Sequence, residues 1–89
     1  FASEFRLNKR AVAKLKNGFI AATEGRTDQL IGLGVSETDV SRMSKFKMPS
    51  SASVKRAAAS LGVRNSDLSD FLEVFLIRMK AAFEQNEKF

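Results

Sequence analysis

The sequence predicts an all-α fold of four to five short helices, with a central helix-turn-helix motif and a C-terminal oligomerisation helix. Apolar residues recur at intervals of three and four through most of the chain, which is typical of helices packed on one side. Gly25, Gly34, Gly62 and the single proline, Pro49, separate these stretches. The 89 residues are 44% hydrophobic, which suits one domain with a single modest core.

The predicted helix-turn-helix covers residues 26–45, RTDQLIGLGVSETDVSRMSK. After a short first helix, Gly34 supplies a turn residue that adopts a positive φ without steric cost. Ser36 and Asp39 form an S-x-x-D helix-start signal, in which the hydroxyl and the carboxylate each satisfy a free backbone N–H group. We therefore expect the second helix to begin at Glu37.

The second helix of this motif has two unlike faces. Val40 and Met43 fall on one side and can pack against the first helix, whereas the other side is polar and cationic. An outer face of this kind suits an anionic surface such as the DNA major groove. The alternative is an ordinary αα-hairpin whose cations are solvated. The residues on the outer face are Thr38, Ser41, Arg42 and Lys45.

Positive charge is concentrated in the part of the chain that contains this motif. Residues 1–66 carry a net charge of +7, and residues 67–89 carry −2. This asymmetry is typical of a protein with one surface facing phosphate, although small domains often carry some excess charge. Further candidates for phosphate contacts, or else simply solvated residues, are Lys9, Arg10, Lys14, Lys16, Lys55 and Arg56.

The composition argues against several other classes of function. The chain has no Cys and no His, which excludes disulfides, thiol nucleophiles, imidazole bases and the usual zinc sites. Its ten acidic residues are scattered, so we expect no catalytic residue, no metal and no cofactor. No apolar run approaches the about 20 residues that span a bilayer, so we expect a soluble protein without a membrane partner. We further expect a cytoplasmic location.

Residues that typically begin or end helices mark the limits of the remaining helices. The first is predicted over residues 8–22, with a kink or an early end near Asn17 because Gly18 disfavours helix. The fourth is expected to follow Pro49 and the serines after it, and to end at Gly62.

The last helix is predicted over residues 66–84, with Asn65 or Ser66 as its cap, and it has two apolar faces. A small monomer has little with which to cover the second face, so we predict that this helix also forms a homo-oligomer. The alternative is a central helix that the other four surround. The predicted oligomerisation residues are Phe71, Val74, Phe75, Ile77, Met79 and Ala81.

Over residues 8–83 the chain resembles the lambdoid bacteriophage c-two family of transcriptional activators in several short matches and in the spacing between them. The last of these matches is an apolar final helix whose first turn is acidic. Two differences are Met43 and Ser44 in place of a Trp and a Lys, and Leu30 in place of a small residue near the helix crossing. The matching residues are Gly34, Val35, Val40, Ser41, Arg42, Pro49, Gly62 and Val63.

This resemblance implies an all-helical subunit whose last helix builds a homotetramer. It implies binding to two short direct repeats around a promoter's −35 element, contact with bacterial RNA polymerase, and a role in lysogeny. It also implies a nucleoid-associated protein of a bacterial host, with a C-terminal tail that a protease recognises. The groove-facing positions that it implies are Ser36, Glu37, Thr38, Ser41 and Arg42.

Each predicted DNA contact has a chemical role. Arg42 is expected to bind guanine O6 and N7 or a phosphate, and Lys45 and Lys47 to bind phosphates. The polar residues expected to contact base edges are Glu37, Thr38 and Ser41. The alternatives are a basic helical adaptor that binds an acidic protein, a repressor, and a nonspecific DNA-binding phage protein.

Overall fold

Five α-helices make up the chain in a computed structural model that describes residues 7–87. No strand occurs in this range, and the predicted all-α fold of four to five helices is confirmed. None of the helices in the described range is both long and apolar enough to cross a membrane. The helices are α1 (Lys9–Thr23), α2 (Asp28–Leu33), α3 (Glu37–Ser44), α4 (Ser51–Leu61) and α5 (Asn65–Glu87).

Side-chain caps fix where three of the helices begin. Asn8 accepts a hydrogen bond from the backbone N–H of Ala11 at 2.7 Å, at the start of α1. Ser36 and Ser50 accept the equivalent bonds at the starts of α3 and α4. The predicted cap of the last helix needs correction, because α5 already includes Asn65 and the Arg64 carbonyl accepts its first backbone bond.

The first four helices end in the same pair of backbone hydrogen bonds, which defines a Schellman motif. In each motif one residue adopts a positive φ. Glycine occupies this position in three helices, but α3 places Phe46 there, with φ of 63°. A bulky residue in this conformation is strained, so the Phe46 ring must be held by contacts elsewhere.

An aromatic cluster of Phe19, Phe46, Phe75 and Phe83 provides those contacts. The ring of Phe19 is fully buried, with its centroid 5.8 Å from that of Phe46 and 5.3 Å from that of Phe75. Phe83 of α5 lies 5.5 Å from Phe46. Aromatic pairs at these distances contribute about 0.5–1.5 kcal/mol each beyond burial. The cluster therefore joins α1, the end of α3 and the C-terminal half of α5.

Helix α1 continues through Gly18 to Thr23, which corrects the predicted early end near Asn17. Gly18 is buried, and a Cβ atom at this position would lie only 2.8 Å from Cδ2 of Leu30 in α2. Leu30 is fully buried. Glycine is therefore placed in the helix interior because it allows α2 to approach α1 closely around a large leucine.

Part of the predicted oligomerisation surface belongs to the core of the subunit itself. Phe71 and Phe75 are buried within the subunit, which corrects their assignment to oligomerisation. Met79 packs half-buried against the same core. Periodicity identified an apolar stripe here but did not show that α1 and α4 cover it first. The apolar residues left on the outer side of α5 are the half-buried Val74 and the exposed Ile77 and Ala81.

A comparison of two glycine variants tests the close approach at the turn of the helix-turn-helix. A Cβ at Gly34, where φ is 107°, would lie 2.8 Å from Cβ of Arg56, whereas Gly62, with φ of 70°, has nothing within 4 Å. Gly62→Ala should lower the free energy of unfolding by about 1–2 kcal/mol through its φ alone. We expect Gly34→Ala to lower it further, because φ of 107° lies farther from the left-handed region open to alanine and because the new Cβ would meet Arg56, as measured by urea unfolding. Equal losses would contradict the close approach.

A second pair of variants separates the strain at Phe46 from the packing of its ring. Phe46→Gly and Phe46→Ala both remove the ring contacts, so both should be less stable than wild type. Because alanine keeps the cost of the left-handed conformation, we expect the glycine variant to be more stable than the alanine variant by about 1 kcal/mol. Equilibrium urea unfolding gives this order, and an alanine variant of equal or greater stability would argue against strain.

Candidate nucleic-acid interface

One face of α3 is exposed and polar, while the opposite face lies in the core. Val40 and Met43 are almost completely buried. The helical spacing of the exposed residues places them on a continuous surface, and Lys47 follows just beyond the helix. The structure therefore brings together the predicted candidates Glu37, Thr38, Ser41, Arg42 and Lys45.

Ser36 has a different environment from the other predicted groove-facing residues. It is half-buried, and its hydroxyl accepts a hydrogen bond from the backbone N–H of Asp39 at 3.3 Å. Its own N–H donates to Oγ of Ser53 at 3.2 Å. The predicted reciprocal bond from the Asp39 carboxylate is replaced by this contact with α4. Ser36 thus fixes the start of α3, and only part of it is accessible to a ligand.

The carboxylate of Asp39 is buried between α3 and the start of α4, where the sequence predicted only a helix cap. The residue is 2% exposed. Its Oδ2 accepts hydrogen bonds from the hydroxyls of Ser50, at 2.6 Å, and Ser53. Its Oδ1 accepts a hydrogen bond from Nη1 of Arg42 at 3.1 Å. We call this group of Ser36, Asp39, Arg42, Ser50 and Ser53 the Asp39 cluster.

Hydrogen bonding keeps the buried carboxylate of Asp39 ionised. Burial by itself raises the pKa of this carboxyl group, but the hydroxyls of Ser50 and Ser53 favour the charged form and hold the pKa well below its usual range. A buried charge is tolerated when its acceptor sites are filled in this way. The charge therefore stabilises the contact between α3 and α4 instead of opposing it.

Arg56 connects α4 to the turn of the helix-turn-helix. Its Nε donates to the carbonyl oxygen of Gly34 at 2.8 Å, which satisfies an acceptor at the end of α2. Its Nη2 also donates to Oγ of Ser53 at 3.4 Å. The sequence suggested only a phosphate contact for Arg56. Arg56 and Gly34 lie 22 residues apart along the chain, so no local sequence pattern indicated this structural role.

Exposed cations also lie on α1, which packs against α2 and α3. Helix α1 has four cations and no acidic residue. Lys14 lines a shallow groove with Gln29 and Leu33 of α2, so at least one cation of α1 lies beside the helix-turn-helix. These positions are suited to additional contacts with a polyanion. Within the described range, no group of His, Cys, Asp or Glu is arranged to hold a metal ion.

Comparisons with known proteins found no relative of this chain. A scan against protein-family models, a search of curated proteins and a search of solved structures each gave no match. The similarity to the c-two activators therefore stays a prediction from the spacing of residues, and the functional argument depends on the geometry of α3 and its surroundings.

The low pKa of Asp39 predicts loss of stability in acid. Since the group binds its proton less readily in the folded state than at the value of about 3.9 typical of unfolded chains, its stabilisation is present above about pH 4. It is lost as the pH falls towards the folded-state pKa. We expect the wild-type free energy of unfolding to decrease between about pH 5 and pH 2, and Asp39→Asn to flatten this decrease.

Urea unfolding at a series of pH values measures this effect. Asp70→Asn, which removes an exposed carboxylate from α5, is the matched control and should keep the wild-type pH dependence. A wild-type slope in Asp39→Asn would show that other carboxylates cause the acid sensitivity.

Proposed function

We propose that the chain is a homo-oligomeric, sequence-specific DNA-binding transcriptional regulator that inserts α3 into the major groove. The observation that carries this proposal is the division of α3 into a buried apolar face and an exposed polar, cationic face directly after the Gly34 turn. A helix that enters a groove needs side chains that hydrogen-bond to base edges, without large apolar residues among them. The outer face of α3 meets both requirements.

The exposed residues have distinct roles in the proposed complex. Arg42 has a half-exposed side chain and binds guanine O6 and N7, or a phosphate. Lys45 and Lys47 bind phosphates and set the position of the protein on the duplex. Ser36 contributes mainly by fixing the start of α3. The side chains that contact base edges are Glu37, Thr38 and Ser41.

The proposed oligomer forms through the outer side of α5. Ile77 is 70% exposed, and Val74 and Ala81 lie on the same side of the helix. Two or more copies that associate here would shield these apolar side chains and place several α3 helices on one DNA molecule. Assembly as a homotetramer is the form that the c-two resemblance implies.

The biological role that we propose follows from the same resemblance. The chain would act in a bacterial host as a phage activator of lysogenic promoters, bound to direct repeats around the −35 element and in contact with RNA polymerase. The arrangement of the two half-sites in the operator distinguishes an assembly of this kind from a two-fold repressor.

Selection of bound duplexes from a randomised DNA pool tests the proposed function. We expect enrichment of two short repeats about one helical turn apart. Direct repeats would support an assembly like that of the c-two activators, whereas a palindrome would support a two-fold repressor. Binding without enrichment would contradict sequence specificity. No binding at all would contradict DNA binding and favour an adaptor for an acidic protein.

Two cation variants are expected to have different effects on DNA binding. Arg42→Ala should cost about 1–3 kcal/mol on the selected duplex if Arg42 contacts a base, with a smaller loss on unrelated DNA. Lys47→Ala should weaken binding to all duplexes about equally and reduce the slope of affinity against salt by about 1. Titrations at several salt concentrations measure both effects. Unchanged affinity of Arg42→Ala for the selected duplex would remove Arg42 from the interface.

A charge placed on the outer side of α5 tests the proposed oligomer. Ile77→Glu should lower the mass of the protein in solution, because it places a charge at the centre of the proposed contact. Ala82→Glu adds the same charge at an exposed position on another side of α5 and should keep the wild-type mass. Sedimentation at micromolar concentration gives the masses. A wild-type protein that is monomeric under these conditions would refute the oligomer.

A further inference from the structure

The contact between Asp39 and Arg42 joins a buried group to a half-exposed one. The side chain of Asp39 is 3% exposed and that of Arg42 is 51% exposed. The two lie three residues apart on α3, with Nη1 of Arg42 at 3.1 Å from Oδ1 of Asp39. Because the arginine of this pair is half-exposed, solvent screens part of the attraction and the pair adds only modest stability by itself. The main consequence of this contact is therefore the position that it gives to the arginine.

The Asp39 carboxylate is a rigid anchor because α4 holds its other oxygen. Ser50 and Ser53 donate to Oδ2, while Arg42 donates to Oδ1. One carboxylate oxygen therefore binds α4, and the other binds the arginine. Ser53 is itself fully buried, and its Oγ accepts a further hydrogen bond from the backbone N–H of Ser36, the cap of α3. The start of α4, as well as the helix that carries Arg42, thus determines the position of its guanidinium group.

Anchoring one end of a guanidinium leaves a defined set of donors. The group carries five N–H donors in a planar fork, and the bond to Asp39 uses Nη1. Among the described residues, the Nε and Nη2 donors of Arg42 have no hydrogen-bond acceptor. A long side chain that is already held in place also loses less conformational entropy when it binds. Such an arginine is suited to a base edge with two acceptors.

We propose that Asp39 is a positioning residue that sets DNA specificity through Arg42, by holding the guanidinium so that its remaining donors match the paired acceptors O6 and N7 of guanine. This inference rests on the proposed function and adds the residue that determines its selectivity. Asp39 itself does not contact DNA. It affects DNA binding through the arginine three positions later on α3.

The test compares affinities for the selected duplex and for an unrelated duplex at one salt concentration. Asp39→Asn removes the charge with little change in shape, and serine hydroxyls can both donate to and accept from the new amide. We expect the ratio of specific to nonspecific affinity to fall about 3- to 30-fold. In an Arg42→Ala background the same substitution should leave the ratio unchanged, because the positioned group is absent.

Val54→Ala is the control for a purely structural role. Val54 is a buried apolar residue of α4, and the side-chain hydrogen bonds of the Asp39 carboxylate are made by Arg42, Ser50 and Ser53. We expect this variant to lose stability in urea unfolding but to keep the wild-type affinity ratio. If Asp39→Asn does not fold, Asp39→Glu keeps the charge but moves the carboxylate outward by one methylene group. The affinity ratio should fall in this variant also.

Two results would overturn the proposal while leaving the proposed function intact. One is an unchanged affinity ratio in the folded Asp39 variant when Arg42→Ala lowers it. The other is an equal rise in affinity for both duplexes, which would show that Asp39 acts only as a nearby negative charge. Failure of the wild-type protein to prefer any duplex is a different result, and it would overturn the proposed function as well.

Discussion

A charged carboxylate with almost no exposed surface needs hydrogen-bond donors around it, and here two helices must supply them. Asp39 of α3 receives donors from Ser50 and Ser53 at the start of α4, so α3 and α4 can pack correctly only in one relative position. Ser50 also caps the start of α4, and Ser36 caps the start of α3. The orientation of α3, and with it the position of its exposed face, therefore depends on a buried polar contact with α4 in a domain whose core is mainly apolar.

Local signals in the sequence were sufficient for the helix boundaries in the centre of the chain. Ser36 as a cap and Gly34 as a left-handed turn residue act over three or four positions, and a short pattern contains all that they require. The serine partners of Asp39 lie 11 and 14 residues away, the neighbour of Gly18 lies on α2, and Arg56 bonds to the turn after α2. Such contacts depend on how helices are arranged in space, which periodicity does not encode.

The candidate interface was predictable for a simpler reason than the core was. On a helix as short as α3, the period that turns Val40 and Met43 inward also turns the residues between them outward. On α5 the same reasoning gave two apolar stripes and no indication of which one the subunit covers. Phe71 and Phe75 lie on the covered side, whereas Ile77 does not. A stripe becomes a core only when a neighbouring helix is long enough to reach it.

The left-handed conformation of Phe46 has a consequence for how proteins of this design can diverge. Ser36 fixes one end of α3 and the Phe46 ring fixes the other, so the helix keeps a length of eight residues, or about 12 Å. Insertions or deletions within α3 would pull the ring out of its aromatic cluster. New ligand preferences would then evolve by exchange of outward-facing side chains on a scaffold of constant length. Mutational drift in α3 should be confined to substitutions, with insertions accepted in the loops on either side of the helix-turn-helix.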